Sequence, residues 1–215
     1  MPVATIADMV GSRLLPDRRD AQQVLDAAIA EAESALPLAL EPLRPTVGDE
    51  QQGVYPTLEA ALAGLLLLQL ALPDGLECRF GLGLGDIGTI ASASGDIPDG
   101  PGWWAAREAI DAVHAKQQRA APSARTWVVA SSGEDAGVHR SAALANAYLL
   151  TRDQLVGAMT ERERRLVYGR CLGVTQKDLA RAEGVTQPAV SQALAGAGAH
   201  AILEGFALLR AEVGA

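Results

Sequence analysis

Hydrophobic and polar positions in the first part of the chain alternate between short apolar runs and longer segments with helical spacing. Four runs have the pattern of strands: VATIADMV (3–10), LEPLRPTV (40–47), GVYP (53–56) and LECRFGLGLGDIGTI (76–90), the last continuing into a glycine-rich bend. Residues 20–36 and 57–72 have helical spacing, with Asp17 or Asp20 capping the first helix and Thr57 the second. The order β-α-β-β-α-β predicts an α+β protein with a ferredoxin-like sheet domain.

The remainder of the chain changes from a mixed pattern to a helical one. Residues 103–118 have the spacing of a helix, and residues 125–131 predict a further strand. From Ser141 onward the whole pattern is helical. We therefore predict two domains, a sheet domain over residues 1–136 and an all-α domain over residues 137–215.

Charge is distributed unevenly between these two parts. The formal net charge is −8 and the sequence pI is about 4.9. Residues 1–150 hold 10 Lys and Arg against 19 Asp and Glu, a net of −9, whereas residues 151–215 hold 8 against 7, a net of +1. A polyanion such as nucleic acid is therefore expected only at the C-terminal part.

Cysteine usage and the apolar segments predict a cytoplasmic protein that makes no membrane contact. Cys78 and Cys171 are far apart and lack metal-ligand spacing, so we expect two reduced, buried thiols. No signal peptide is visible, because the first apolar run lacks a basic start and contains Asp8. The most apolar window, residues 61–72, is shorter than the roughly 20 residues that span a bilayer.

Two acidic residues that are distant in sequence are expected to meet at one edge of the sheet. In the strand order 4-1-3-2, the end of the first strand lies beside the hairpin that joins the second and third strands. Asp8 ends the first strand, and Asp49 follows Gly48 in a turn that suits a two-residue type II′ hairpin. Two carboxylates a few ångströms apart suit Mg²⁺ or Mn²⁺ together with the phosphates of a ligand.

The residues next to these acids fit a phosphate-bearing ligand. Gly11 and Ser12 are small enough for backbone N–H groups to approach a phosphate, and Arg13 adds positive charge. The alternative is a surface turn, since Gly-Asp is common in turns and an Asp in a strand often bonds locally. Glu50 points to the other face of a regular strand, so it joins the site only through a bulge.

The segment TQKDLARAEGVTQPAVSQAL (175–194) has the signature of a helix-turn-helix. Ala180, Gly184 and Val190 occupy the positions that require a small residue at the helix crossing, a glycine in the turn and an apolar core contact. Thr175 and Thr186 are suitable N-caps for the two helices. Together with TERERRLVYGRCLGV before it, the segment resembles the DNA-binding regions of sigma factors and response regulators.

This arrangement predicts which side chains would contact DNA. Gln187, Ser191 and Gln192 fall on the exposed face of the second helix, where Gln can bind adenine in a major groove. Thr186, Lys177 and Arg181 are expected near phosphates. The alternative is a helical hairpin that serves dimer packing. The last helix has an apolar stripe that packs either on this unit or on a second subunit.

Four segments in order resemble class III nucleotide cyclases. IADMVGSR, TVGDEQQGVY and RFGLGLGDIGTI resemble their first metal strand, their Gly-Asp hairpin and their R-x-G-I-H-x-G strand, and GPGWWAAREAID resembles the catalytic helix. This resemblance assigns the metal acids to Asp8 and Asp49 and the catalytic, phosphate-binding Arg to Arg107. The helix Asn of cyclases is Trp103 here, and the base-selecting Lys is Pro45.

The same segments followed by a helix-turn-helix more closely resemble the SatD family. The resemblance implies a cyclase-like palm domain that binds a nucleotide or another phosphorylated small molecule, with Gly48 among the binding residues. We expect a homodimeric, ligand-responsive transcription regulator that binds DNA. The alternatives are a nucleotide cyclase or nucleotidyltransferase with a regulatory tail, and a degenerate scaffold without a ligand. Because two catalytic positions differ, enzymatic turnover is not expected.

Overall fold

The computed structural model describes residues 1–12, 15–46, 48–91, 95 and 97–213. A five-stranded sheet has the order β2-β3-β1-β4-β7, and β5 and β6 form a separate two-stranded ribbon. The strands are β1 (Val3–Met9), β2 (Glu41–Pro45), β3 (Gln51–Tyr55), β4 (Cys78–Leu84), β5 (Gly88–Ile90), β6 (Ile97–Asp99) and β7 (Thr126–Ala130). The predicted order 4-1-3-2 is confirmed for the first four strands.

Strand β1 is central and runs antiparallel to both of its neighbours. Ala7 pairs with Gln51 of β3, and Asp8 pairs with Arg79 of β4. β7 extends the sheet beyond β4 and runs parallel to it. The end of β1 therefore lies between the start of β3 and the start of β4, which places Asp8 beside the β2–β3 hairpin as expected.

Eight helices lie in the described ranges. They are α1 (Arg18–Ala35), α2 (Leu58–Ala71), α3 (Pro101–Gln117), α4 (Ala136–Gly157), α5 (Glu161–Cys171), α6 (Gln176–Ala182), α7 (Gln187–Gly196) and α8 (Ala199–Val213). Asp17 caps α1 by accepting hydrogen bonds from the backbone N–H groups of Arg19 and Asp20, and Thr57 caps α2. All three helices that the sequence predicts within residues 1–136, and one of the two predicted caps for α1, are confirmed.

The two faces of the sheet pack against different helices. Val3 and Ala7 of β1 belong to the large core that also contains α1 and α2, whereas Ala4 and Ile6 pack with Trp103 of α3. This alternation follows from the period of two in a strand. Asp8 consequently lies on the face that carries α3.

Glycines in β4 allow α3 to lie directly on the strand. A Cβ atom on Gly83 would overlap the backbone oxygen of Gly102, and one on Gly81 would overlap the backbone oxygen of Ala106. After Arg79, the alternating pattern FGLGL (80–84) thus has glycines towards α3 and large residues towards α2. Larger residues at these positions would push away the helix that completes the candidate site.

The β2–β3 connection differs from the predicted two-residue turn. The backbone N–H of Thr46 donates to the oxygen of Glu50 at 2.9 Å, so these two residues lie opposite each other in the hairpin. Gly48 has a φ of 74°, which an L side chain rarely adopts. The type II′ assignment was wrong, because a two-residue turn at Gly48 and Asp49 would not bring Thr46 opposite Glu50.

The outer edge of β7 is covered by side chains of α4. Asp153 accepts hydrogen bonds from the backbone N–H groups of Arg125 and Thr126 at 2.7 and 2.8 Å. Asn146 accepts from the N–H of Val128 and donates to its oxygen, both at 2.8 Å. These contacts satisfy backbone groups that an edge strand would otherwise expose.

The helical segment shares one packed core with the sheet. Helix α2 packs against α5 and α8, and Leu66 and Leu166 belong to the same buried cluster. Ile202 and Phe206 of the apolar stripe on α8 are buried in this cluster, so the stripe packs within the chain. Among the described residues no single helix is long and apolar enough to cross a membrane, while α7 and α8, bent by 82°, pass that test only as a pair.

Candidate functional site

A pocket with a volume of about 480 Å³ lies at the sheet edge where β1 ends. Its lining residues are Asp8, Met9, Gly11, Ser12, Asp49, Arg79 and His114. Asp8 and Asp49 therefore line one pocket, as the strand order predicts. The pocket also includes Gly11, which has a φ of 65°, and Ser12 from the loop after β1.

Asp8 is held by a two-point ion pair with Arg79. Arg79 Nε donates to Asp8 Oδ1 at 2.9 Å, and Arg79 Nη2 donates to Oδ2 at 3.1 Å. A third bond, at 3.1 Å, runs from Arg79 Nη1 to Gln117 on α3. Arg79 is only 8% exposed. A planar fork of this kind fixes the orientation of the carboxylate and compensates its charge.

Asp49 has no comparably close cationic partner in the described part of the chain. Its nearest contact is Arg18 Nη2 at 4.0 Å, and the Asp49 side chain is 29% exposed. Asp49 is therefore the more available carboxylate in the pocket.

The carboxylates fit a divalent cation only when a ligand contributes further oxygens. Among the described residues, no group of three or more His, Cys, Asp or Glu side chains could hold a metal ion. Mg²⁺ usually binds through one or two carboxylates together with waters and substrate phosphates. Asp8 and Asp49 match that donor set, and Arg79 adds a positive charge for the phosphates.

Arg107 lies outside this pocket and contacts the hairpin instead. Its Nη2 donates to Glu50 Oε1 at 2.6 Å, and Gln52 donates to the same oxygen at 3.0 Å. The hydrogen bond with Glu50 raises the pKa of Arg107 above its usual value. The sequence did not predict the pairing of Arg107 with Glu50. Glu50 is not among the residues that line the pocket.

The other predicted ligand-binding residues divide into three groups. Gly11 and Ser12 line the pocket. Gly48 is in the hairpin loop and is not among the lining residues. Arg13 lies outside the described residues.

Sequence reasoning missed three lining residues, Met9, Arg79 and His114, of which the last two are polar. Arg79 is the first residue of the R-x-G segment that resembles a cyclase strand. The resemblance therefore pointed to this residue, but it assigned no function to it. His114 is two turns beyond Arg107 on α3, and its contact with the pocket depends on how that helix lies on the sheet. Its ring Nε2 is 2.6 Å from Gln118 Nε2.

The two positions that differ from cyclases have structural roles here. Trp103 is 8% exposed and packs with Ala4, Ile6 and Val54. Pro45 ends β2 and pairs with Gln51. Pro45 has no side-chain hydrogen-bond donor, and the Trp103 indole offers one buried N–H group in place of the amide group of an Asn.

Helices α6 and α7 have the caps and the buried positions that the sequence predicts. Thr175 accepts from the backbone N–H of Asp178, and Thr186 accepts from that of Ala189. Gly184, with a φ of 65°, lies in the turn between the helices. The buried side chains of the pair are Leu179, Ala180, Val190 and Leu194.

All six side chains predicted to contact DNA are exposed: Lys177, Arg181, Thr186, Gln187, Ser191 and Gln192. Arg181 pairs with Asp178 at 3.0 Å, which partly compensates its charge. The hydroxyl of Thr175 also lowers the pKa of Asp178 through a hydrogen bond. The exposed residues of α7 carry no charge: Gln187, Pro188, Ser191, Gln192, Ala195 and Gly196.

Fold and site together define an α+β protein. It has a pocket with two carboxylates at one edge of the sheet, and a helical segment that packs on α2, on the sheet face opposite α3. Residues 2–200 match the sequence profile of the SatD family, and the chain belongs to that family. No curated protein matches the chain.

Several solved structures of nucleotide cyclases are similar to part of the chain. An adenylate cyclase of Trypanosoma brucei in its monomeric state is 19% identical, with 52% of this chain and 69% of that one covered and a TM-score of 0.40. A bacterial light-regulated adenylyl cyclase is 14% identical, with 59% and 42% covered and a TM-score of 0.44. The catalytic core of a rhodopsin-guanylyl cyclase is 13% identical, with 51% and 71% covered and a TM-score of 0.39.

Proposed function

We propose that this SatD-family protein is a ligand-responsive, DNA-binding transcription regulator. Its sheet domain binds a nucleotide or another phosphorylated small molecule together with Mg²⁺ or Mn²⁺. The observation that carries this proposal is that Asp8 and Asp49 line a single pocket with Arg79. A pocket with two carboxylates and a buried guanidinium is suited to a ligand that brings both a cation and an anion.

Each lining residue has a distinct part in binding. A divalent cation, when bound, neutralises phosphate charge and orients the phosphate. Arg79 holds Asp8 in one orientation through two hydrogen bonds and faces the phosphates with its remaining N–H groups. Gly11 leaves room for a phosphate to approach the backbone, and the Ser12 hydroxyl offers a further hydrogen bond. His114 adds a ring nitrogen from the side of α3.

Helices α6 and α7 are the DNA-binding part of the proposal. Two capped helices joined by a glycine turn leave Gln187 and Gln192 exposed on the second helix. In a helix-turn-helix, the N-terminal residues of the second helix contact base edges in the major groove. The hydroxyl and backbone N–H groups at the Thr186 cap are available to a phosphate oxygen.

A nucleotide cyclase or nucleotidyltransferase is the alternative function. The convergence of Asp8 and Asp49 favours it, because metal-assisted phosphoryl chemistry uses such a pair. Trp103 and Pro45 oppose it, because they stand where cyclases have an Asn and a base-selecting Lys. We therefore expect ligand binding without rapid turnover.

Ligand-dependent stability tests the pocket. We expect a nucleoside triphosphate with Mn²⁺ to stabilise the protein by about 2.7 kcal/mol at 100 times its Kd. Mn²⁺ alone should give no comparable shift, because the described lining of the pocket has two carboxylates, fewer than a metal site made by protein groups alone requires. Asp49→Asn should remove the metal-dependent shift and still fold, since the nearest cation in the described part of the chain, Arg18 Nη2, is 4.0 Å away. Asp26→Asn, exposed on α1, is the matched control.

Two results would contradict the proposal. If no nucleotide gives a metal-dependent shift, or if Asp49→Asn responds like wild type, the pocket does not bind this class of ligand. The same samples can be assayed for cyclic nucleotides. Rapid formation of product that Asp49→Asn abolishes would establish the enzyme instead of the regulator.

A further inference from the structure

A second, smaller cavity lies where the sheet meets the helical segment. Its volume is about 70 Å³. The lining residues are Gln69, Leu72, Pro73, Leu76, Glu77, Cys78, Arg125, Val156, Gly157 and Arg164. Successive residues of a strand face opposite sides of a sheet, so Cys78 faces this cavity and Arg79 faces the candidate site. The two sites are therefore separated by the start of β4.

Gln69 is the polar residue of α2 that lines this cavity. Every residue of α2 from Ala60 to Leu68 is apolar, and Gln69 is only 9% exposed. Its Oε1 has no hydrogen-bond partner among the described residues. A buried amide without partners lowers stability and invites an explanation. Because no described protein group fixes this amide, an occupant of the cavity can set its orientation.

Two arginines in the wall are held rigidly by protein oxygens. Arg164 Nη1 donates to the oxygen of Met159, and Arg164 Nη2 donates to Asp74 and to the oxygen of Leu72. Arg125 is held in the same way, with Nη1 on the oxygens of Pro122 and Ala124 and Nη2 on Glu77. The side chains of Arg125 and Arg164 are only 15% and 13% exposed. No hydrogen bond in the described part of the chain uses the Nε of either residue.

Charge and size limit what the cavity can hold. Each arginine of the wall already has a carboxylate partner, since Arg125 pairs with Glu77 at 2.6 Å and Arg164 pairs with Asp74 at 2.7 Å. The cavity therefore disfavours a dianion, and a monoanion can be held only through the unused N–H groups of the two guanidinium groups. Burial raises the pKa of the Cys78 thiol, which therefore stays neutral. One water needs roughly 10–15 Å³ of such volume, so the cavity has room for about five non-hydrogen atoms.

We propose that this cavity binds a small monocarboxylate, of the size of acetate or glycolate. The carboxylate accepts hydrogen bonds from Arg125 and Arg164, since a planar guanidinium matches a planar carboxylate. The amide of Gln69 turns to complement the rest of the ligand. Because Arg164 belongs to α5 and Gly157 to α4, the ligand contacts the helical segment and the sheet together.

Titration of the isotopically labelled full-length protein with sodium acetate tests this site by NMR at constant ionic strength. Saturable shifts of the Cys78 and Gly157 amide signals are expected. Acetamide has the shape of acetate without its charge, and it should bind at least about tenfold more weakly. Phosphate should not produce the same shifts, because Glu77 repels a dianion. Glycolate and glycine distinguish a hydroxy acid from an amino acid as the preferred ligand.

Variants connect the response to named residues. Gln69→Leu keeps the volume and removes the amide, so it should fold and should weaken the preferred ligand by about tenfold. Gln23→Leu, exposed on α1, should leave binding unchanged. Equal responses to acetate and acetamide, or no saturable shift, would overturn the proposal. That comparison needs only the wild-type protein, so it decides the question even if Gln69→Leu fails to fold.

Discussion

Arg152 and Asp153 are adjacent on α4, and both side chains are fully buried. Arg152 donates to Asp153 Oδ1 from Nε and Nη2, while Oδ2 accepts from two backbone N–H groups of the β7 edge. Arg152 also donates to Thr126 Oγ1. Both charged groups are therefore compensated by hydrogen bonds and by each other, so the loss of one group should lower the stability of the fold.

Asp153→Asn should lower the free energy of unfolding by about 3–5 kcal/mol, because it leaves Arg152 buried without its counter-charge. Urea unfolding with a two-state fit measures the effect. The exposed pair of Arg181 and Asp178 provides the control, and Arg181→Ala should cost at most about 1 kcal/mol. A loss of the same small size for Asp153→Asn would mean that the buried network does not stabilise the fold.

The candidate site could be predicted only in part at this scale. Asp8 and Asp49 follow from the strand order, because β1 ends beside the β2–β3 hairpin. Arg79 could not be paired with Asp8 beforehand, since that pairing depends on the register between β1 and β4. Arg107 contacts Glu50, and His114 lines the pocket, because of the angle at which α3 crosses the sheet. No local sequence pattern predicts that crossing angle.

Helix α7 presents an uncharged polar face, so its expected contacts are hydrogen bonds to bases. Gln192→Ala should lower the affinity for a selected DNA site by about 1–3 kcal/mol and relax specificity at one base pair. Lys177→Ala should weaken binding to all sequences alike and reduce the salt slope by about 1. Selection from a random DNA pool followed by titration measures both effects.

Gln23→Ala, exposed on α1, is the control for these DNA measurements. Failure to enrich any sequence would show that α6 and α7 serve another purpose, such as dimer packing. Equal effects of Gln192→Ala on all sequences would show that the residue does not contact a base.

Most helices and strands could be predicted from periodicity and caps, including the turn at Gly184. The exceptions have a common cause. In the β2–β3 hairpin, Thr46 lies opposite Glu50, a register that the Gly-Asp turn signal does not give. The β5–β6 ribbon lies in a segment rich in Gly, Asp and Pro without a strong period. The cover of β7 by Asn146 and Asp153 is a contact between elements, which hydrophobic spacing does not encode.

The net charge of the whole chain is −8, so long-range electrostatics oppose the approach of DNA to most of its surface. One α6–α7 unit offers few cations, so a single unit should bind weakly. We expect a homodimer that places two units on half-sites about one helical turn apart.

Removal of one half-site from a selected operator should therefore abolish most of the affinity at physiological salt, since one set of phosphate contacts is lost. Gel-shift titration of full and half operators measures this, and analytical ultracentrifugation of the free protein gives the subunit number. A monomer that binds a half-site as tightly as the full site would contradict the dimer.

The cover of β7 by α4 has a consequence for how this gene can change. A fragment that ended at the predicted boundary after residue 136 would lose Asn146, Asp153 and the helices that pack on α2. Its sheet would then have a bare strand and an uncovered apolar helix, the surfaces that lead chains to associate with one another. Recombination is therefore expected to exchange this protein as one unit, rather than to transfer its helical part alone to other genes.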